Sequence, residues 1–527
     1  MTALPPSFAW LEKTGDHANA ILVKETRQSL KSRQFVITFL LLLAAAWLVS
    51  MFFMLEAAET IETNPIGGRF FYAFFFVLLV AIFVVVPFTA YRSLLAEREQ
   101  NTYDVLSITT LSPGQIVRGK LLSSLVQMFL FYSAITPFIA FASLLQGFDL
   151  PQVAFVLVLA MFISLGYSMF ALLLATLATQ RHWQVIFSLF LLGSLAWSLF
   201  GFYYMVRAAA EFDGFSSAFR EPGFWWMMAC VSVAWLSYFV LFYQLAVARL
   251  TFEADNRSTG IRLTCSAQFW LLWGMVWLVL DWTTPIRGFV ALDDILMIAS
   301  LISGLHWLIV GGIAATEGPR LSRRTRRKLP RNGFLRLLLV PLLPGGDRGL
   351  LYTLLHAGAL VGVVAIFPRL LPAAAAPTPG MAPGSMFAGI ATGTAVLHAA
   401  VVAAYLVIFV GIAALIGLWG GRFWPQFRPA HARLLALLVF LGGTLFPPIV
   451  RLFTRNFDSG YRLIDLTNPV TTLFAIQDGR WIPDAGLIVL LIVAGVVLLL
   501  NLPHLRRGVA EVFEEPPSAG VSATPRT

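Results

Sequence analysis

Residues 70–90 read FFYAFFFVLLVAIFVVVPFTA and contain no charged side chain. A helix of this length crosses a hydrocarbon core of about 30 Å. The rest of the chain has the same character: 58% of its 527 residues are apolar and 12% are charged, against about 45–50% and about 25% in soluble domains. The sequence therefore predicts an integral membrane protein. Its apolar runs lack the alternation of barrel strands, so we expect helices.

Twelve apolar runs have approximately the length that crosses a membrane as a helix. The sequence therefore predicts an all-α polytopic bundle of about twelve transmembrane helices, with both termini in the cytoplasm. Two runs are short and one is long, so eleven or thirteen spans are also compatible with the pattern. The runs are 35–55, 70–90, 121–145, 153–178, 183–206, 224–248, 266–281, 292–315, 350–367, 388–416, 433–453 and 485–503.

Basic side chains orient the predicted spans, because short cytoplasmic loops retain Lys and Arg. The chain has 37 Lys and Arg against 27 Asp and Glu, and with the amino terminus inside, every lysine falls on the cytoplasmic side. We interpret this excess of positive charge as a sign of the chain's orientation in the membrane and of attraction to anionic membrane lipids, not of nucleic-acid binding. The same interpretation covers the basic run Arg320, Arg323, Arg324, Arg326, Arg327, Lys328 and Arg331.

Six predicted spans precede Arg249 and six follow Arg262, which is the parity of a tandem duplication. The second half is either a true copy or an unrelated extension, because residue identity does not reveal a repeat. Cys230 and Cys265 fall in or beside spans, so we expect no disulfide. The predicted organisation is a cytoplasmic amino terminus (1–34), a six-span domain (35–248), a cytoplasmic linker (249–265), a second six-span domain (266–504) and a disordered tail (505–527).

A cationic helix is predicted before the first span, over residues 20–33 with Asn19 as its cap. Lys24, Arg27 and Lys31 lie on one arc beside a narrow apolar arc, so this helix is expected to lie along the inner membrane surface. The alternative is an ordinary positive flank of the first span.

The polar segment 91–120, YRSLLAEREQNTYDVLSITTLSPGQIVRGK, lies between the second and third predicted spans. Its first part, to about residue 108, is expected to continue the second span as a helix. Ser112, Pro113 and Gln115 then supply a hydroxyl cap, a proline at the first helical position and a glutamine at the third, which predicts a capping box. Such a helix–corner–helix either receives force from a soluble partner or is a tight turn without one.

No catalytic, cofactor or metal site is predicted. Residues 114–120 satisfy G-x-x-x-x-G-K, but Leu121 stands where a phosphate-binding loop needs Ser or Thr, and no strand precedes the motif. His306, His356 and His398 lie within spans without metal-ligand spacing, so hydrogen bonding between helices is the preferred interpretation. We therefore expect that the chain is not an enzyme and has no ATPase activity of its own.

The pattern AEREQNTYDVLSITTLSPGQIVRGK over residues 96–120 resembles the cytoplasmic loop of ABC transporter permeases of the type-two, mostly exporting, class. In that class a Glu-rich and Gly-Thr or Asn-Thr segment is followed by Leu-Leu, Ser-Pro and Gly-Lys before the third span. Residues 22–33 are similar to the family's elbow helix, so the resemblance covers about residues 20–248. Asn101 stands where the family more often has glycine.

The resemblance implies a permease subunit that has no chemistry of its own and docks through its 91–120 loop to a separate ABC-type ATPase. A second permease copy, as in a homodimer, is a further expected partner. The equivalent loop of the second half, 316–349, lacks the signature, which suggests a degenerate copy or an accessory. The positions matched to ATPase coupling are Glu97, Glu99, Thr102, Leu106, Ser112, Pro113, Gly119 and Lys120, and those of the elbow helix are Lys24, Arg27 and Lys31.

Two other functions are compatible with the sequence. A membrane-embedded enzyme that modifies lipids or glycans needs convergent carboxylates, His or Cys at one membrane face, whereas the acidic candidates here are dispersed. A non-transporting membrane scaffold shares every feature except dependence on an ATPase. The sequence does not identify a substrate, since no cluster of polar residues within the spans defines a ligand.

Overall fold

The computed structural model describes residues 20–57, 67–99, 112–145, 149–178, 180–211, 217–252, 255–282, 292–318, 321–370, 392–455, 461–477 and 483–514. All regular secondary structure in these ranges is helical. Eleven of the helices are long and apolar enough to cross a membrane, which is the fold of an all-α, multi-pass membrane protein. The predicted run 266–281 lies in the helix Thr259–Trp282, which is not among the eleven.

The chain divides into two compact units, Met1–Thr251 and Phe252–Thr527. In the first unit the second candidate span, Gly67–Glu97, is the most buried. The helices of this unit are α1 (Ala20–Leu30), α2 (Arg33–Ala57), α3 (Gly67–Leu79), the π-helical turn (Val80–Val85), α4 (Val86–Glu99), α5 (Pro113–Leu144), α6 (Leu150–Leu177), α7 (Arg181–Glu211) and α8 (Pro222–Leu250).

The π-helical turn follows from Pro87, which lies two residues after the last residue of the turn, Val85. The Val86 amide donates to the Ala81 carbonyl instead of the Ile82 carbonyl, and Pro87 has no amide hydrogen to offer Ile82. The Ile82 carbonyl accepts a hydrogen bond from the Ser164 hydroxyl of α6. A π-helical turn of this kind locally interrupts the regular hydrogen-bond ladder of the second span.

In the second unit the helix Thr392–Phe423 packs most extensively against four others: Leu292–Ala315, Gly346–Leu370, Pro429–Thr454 and Pro483–Phe513. The His398 ring lies 2.8 Å from the Ser300 hydroxyl of the helix Leu292–Ala315, a helix-to-helix hydrogen bond of the kind expected. The His356 ring lies 2.9 Å from the Tyr352 carbonyl of its own helix, so the bond found for this histidine is not one between helices. The helices of this unit are α9 (Thr259–Trp282), α10 (Leu292–Ala315), α11 (Arg323–Arg327), α12 (Gly333–Leu339), a 3-10 turn (Val340–Leu342), α13 (Gly346–Leu370), α14 (Thr392–Phe423), α15 (Pro429–Thr454), a second 3-10 turn (Leu463–Thr467), α16 (Pro469–Gln477) and α17 (Pro483–Phe513).

Three predicted boundaries differ from those observed. The helix expected over 20–33 ends at Leu30, because the Ser32 hydroxyl accepts from the Phe35 amide and starts α2. Helix α9 begins inside the predicted linker 249–265. The tail predicted to be disordered from residue 505 is helical to Phe513, because ion pairs and apolar packing hold this end of α17.

Candidate functional site

The structure describes most of the positions matched to ATPase coupling. Thr102 and Leu106 lie outside the described residues, and only the backbone of Glu99 is described, at the end of α4. The remaining positions lie near the end of α4 or at the start of α5, and these are Glu97, Ser112, Pro113, Gly119 and Lys120.

The start of α5 confirms the predicted capping box. The Ser112 amide donates to Gln115 Oε1 at 2.8 Å, and the Gln115 amide donates to Ser112 Oγ at 3.4 Å, with Pro113 in the first turn. Gly114 follows, and a β-carbon there would lie 2.7 Å from the Tyr243 hydroxyl oxygen of α8. Glycine thus permits α8 to approach the first turn of α5 closely.

Four charged side chains meet where α1, α4 and α5 come together. Lys120 Nζ lies 3.0 Å from Glu25 Oε1 and 3.2 Å from Glu97 Oε2, and Lys24 Nζ lies 3.4 Å from Glu97 Oε1. The Lys120 ammonium also donates to the Ser93 hydroxyl at 3.4 Å. We call Lys24, Glu25, Glu97 and Lys120 the charge cluster.

The charge cluster has equal numbers of cations and anions and is mostly shielded from solvent. The exposed fraction of the side chain is 1% for Lys120, 11% for Glu25 and 12% for Glu97. Charges this deeply buried are tolerated only when they are paired, so separating α1, α4 or α5 would leave a charge without its partner. Lys24 is 53% exposed, and its ion pair contributes little because water screens it.

Helix α1 enters this cluster through Glu25, a residue that was not among the predicted site residues. Lys24, Arg27 and Lys31 are exposed, and Lys31 lies in the turn after α1, whereas Glu25 is buried against α5. At 100° per residue Glu25 lies within 60° of both Leu22 and Ser29, so it belongs to the inner arc of α1. An acidic residue on that arc was the signal that could have identified it.

Helix α4 is also hydrogen-bonded to α7. The Tyr91 hydroxyl donates to the Gln184 carbonyl at 3.0 Å and accepts from the Ser188 hydroxyl at 3.3 Å, which joins α4 to the start of α7. Tyr91 is fully buried. The two ends of the segment between α4 and α5 are therefore held by side chains from several helices.

The charge cluster is internally neutral. Each charge in the cluster is matched by an opposite charge, and the described residues contain no group of three or more His, Cys, Asp or Glu that could hold a metal ion. Comparisons with protein-family models, curated proteins and solved structures gave no match to this chain.

Proposed function

We propose that the chain is the transmembrane permease subunit of an ATP-driven ABC-type exporter of the cell inner membrane, coupled through its 91–120 loop to a separate ATPase subunit. The observation that supports this proposal most is the contact of 3.2 Å between Glu97 and Lys120. These residues stand on the two sides of the predicted docking corner, and Glu25 attaches the elbow helix to the same point.

The charge cluster gives this coupling a physical route. A force on residues 100–111 acts on α1, α4 and α5 together, because separating the buried ion pairs that join these helices costs free energy. Bending of the second span is taken up at the π-helical turn, where the backbone ladder is already interrupted. ATP binding by the partner would in this way shift the bundle between inward and outward access.

The proposal is tested by purifying the tagged full chain from its native membranes in mild detergent and measuring ATP hydrolysis in the preparation. We expect an ATPase to copurify, and we expect Leu106→Arg to abolish both its association and the hydrolysis, because an apolar docking contact becomes charged. Arg506→Gln, which changes an exposed side chain of the second unit, serves as the control and should keep both.

The thermal unfolding of the chain is measured for each variant, so that loss of docking is separated from loss of folding. If no ATPase copurifies with the wild-type chain, or if Leu106→Arg retains it at the wild-type level, the chain is not a permease docked through this loop.

A further inference from the structure

Residues 321–343 of the second unit form a compact segment between α10 and α13. It consists of α11, α12 and the 3-10 turn Val340–Leu342. Its buried apolar side chains, Leu321, Val340 and Leu343, pack with Val512 of α17 in a small apolar cluster. One side of the segment is therefore fixed to the helical bundle.

A buried arginine ties the segment to the end of the last span. Arg348 is fully buried and donates to Glu511 Oε2 at 2.9 Å and to the Gly508 carbonyl at 3.1 Å. The other oxygen of Glu511 accepts from Arg326 at 2.6 Å and from the Leu321 amide at 3.0 Å. Glu511 thus holds the start of the segment against α13 and α17.

A second buried arginine holds the end of the segment in place by hydrogen bonds. Arg262 of α9 donates to Glu317 at 2.8 Å, to the Pro341 carbonyl at 2.9 Å and to the Leu343 carbonyl at 2.6 Å. Because both ends are fastened by buried charged groups, the segment behaves as a rigid part of this unit.

The other side of the segment is strongly basic. No acidic residue occurs between Glu317 and Asp347, and among the exposed cations Arg324 pairs with Asp255 at 3.1 Å. The segment therefore carries a net positive charge that complements an anionic surface. Its exposed cations are Arg323, Arg324, Arg327, Lys328 and Arg331.

Exposed apolar side chains follow these cations directly. Phe334 is 72% exposed and Leu338 63% exposed, and Leu335 and Leu337 are also exposed. The apolar helical stretch Gly333–Leu342 is about 15 Å long at 1.5 Å per residue, half of what a membrane span requires. Basic residues beside a short, exposed apolar helix are typical of segments that lie in the membrane interface.

We propose that residues 321–343 are an interfacial anchor that inserts Phe334 and Leu338 at the boundary between headgroups and acyl chains and binds anionic phospholipid headgroups. The headgroup ligands are Arg323, Arg327, Lys328 and Arg331. This anchor lies on the predicted cytoplasmic side, where anionic lipids attract basic segments. It stands independently of the transport proposal, because it rests on charge complementarity and exposed apolar area in the second unit.

The test places an environment-sensitive fluorescent amino acid at Leu338 in the full chain, reconstituted in nanodiscs of phosphatidylcholine with one third phosphatidylglycerol. A spin label near the top of the acyl chain, carried by either lipid, quenches the fluorophore if it lies in the interface. We expect quenching with a preference for labelled phosphatidylglycerol. Arg327→Gln with Lys328→Gln should lower that preference about five-fold or more, the effect of one to two cations. The matched control, Arg506→Gln with Arg507→Gln, should leave it unchanged.

Raising the salt concentration should reduce the lipid preference, because exposed charges are screened. Absence of quenching by either lipid would overturn the insertion of α12. Quenching without a preference for phosphatidylglycerol, or an equal loss of preference in the control, would overturn the assignment of the headgroup ligands.

Discussion

Replacement of Lys120 by Met removes the positive charge that contacts both Glu25 and Glu97, and keeps a side chain of similar length. Lys120 is 1% exposed and the two carboxylates are 11% and 12% exposed, so water does not easily take the place of the ammonium group. Removing one partner of a buried ion pair costs about 3–5 kcal/mol. The small exposure of both carboxylates lets them recover some hydration, so we expect a loss of about 3 kcal/mol in the free energy of unfolding.

The matched control is Lys24→Met, which removes the same charge from the same cluster. Lys24 is 53% exposed and 3.4 Å from Glu97, and exposed ion pairs contribute less than about 1 kcal/mol. The free energy of unfolding of each variant is measured by titrating the detergent-solubilised full chain with dodecyl sulfate and following tryptophan fluorescence.

A further variant combines Lys120→Met with Glu25→Gln and Glu97→Gln, so that neutral groups replace all three charges. We expect it to recover most of the loss, since the penalty comes from carboxylates left without a partner. Equal losses in Lys120→Met and Lys24→Met, or a combined variant no more stable than Lys120→Met, would refute this account of the cluster.

Two further predictions concern the first unit. Gly114→Ala should destabilise the chain by about 1–3 kcal/mol, because the new β-carbon meets the Tyr243 hydroxyl. In a Tyr243→Phe background the same substitution should be neutral or stabilising by up to about 1 kcal/mol, because alanine has a higher helix propensity than glycine. Thermal unfolding of the two single variants and the double variant checks this, and an equal loss of stability in both backgrounds would contradict it. Ser164→Ala should lower stability by about 1 kcal/mol, because the Ile82 carbonyl loses its donor. Ser168→Ala should cost less, since its hydroxyl bonds to a carbonyl of its own helix, and the opposite order in melting temperature would contradict the account of the π-helical turn.

Local features of the sequence predicted much of the helical architecture. A candidate span is recognised from about 20 consecutive side chains, and a capping box from the four residues that form it, so the second span and the start of α5 at Ser112 were both anticipated. The predicted run 266–281 does form a helix, Thr259–Trp282, but this helix is not among the eleven candidate spans. Fold class therefore follows from local pattern, whereas the exact number of spans does not.

The charge cluster could be predicted only in part. Glu97 and Lys120 were selected from the loop pattern, but their mutual contact depends on how α4 and α5 pack. Glu25 lies 95 residues from Lys120 along the chain, and no local pattern links them. The helical end of α17 has the same origin, because Glu511 is ordered by Arg348, which is 163 residues away.

The cluster also changes the roles that the family resemblance assigns within the loop. Glu97 and Lys120 are paired with each other and almost wholly shielded, so they present little charge to any partner. The ATPase would therefore, under the proposed function, contact side chains between them, in the stretch that contains Thr102 and Leu106. Under the proposed function the motif divides into two parts, an outer part that contacts the ATPase and a buried pair that carries the force into α1, α4 and α5. Substitutions in the outer part should abolish association without changing stability, whereas Lys120→Met should lower stability first.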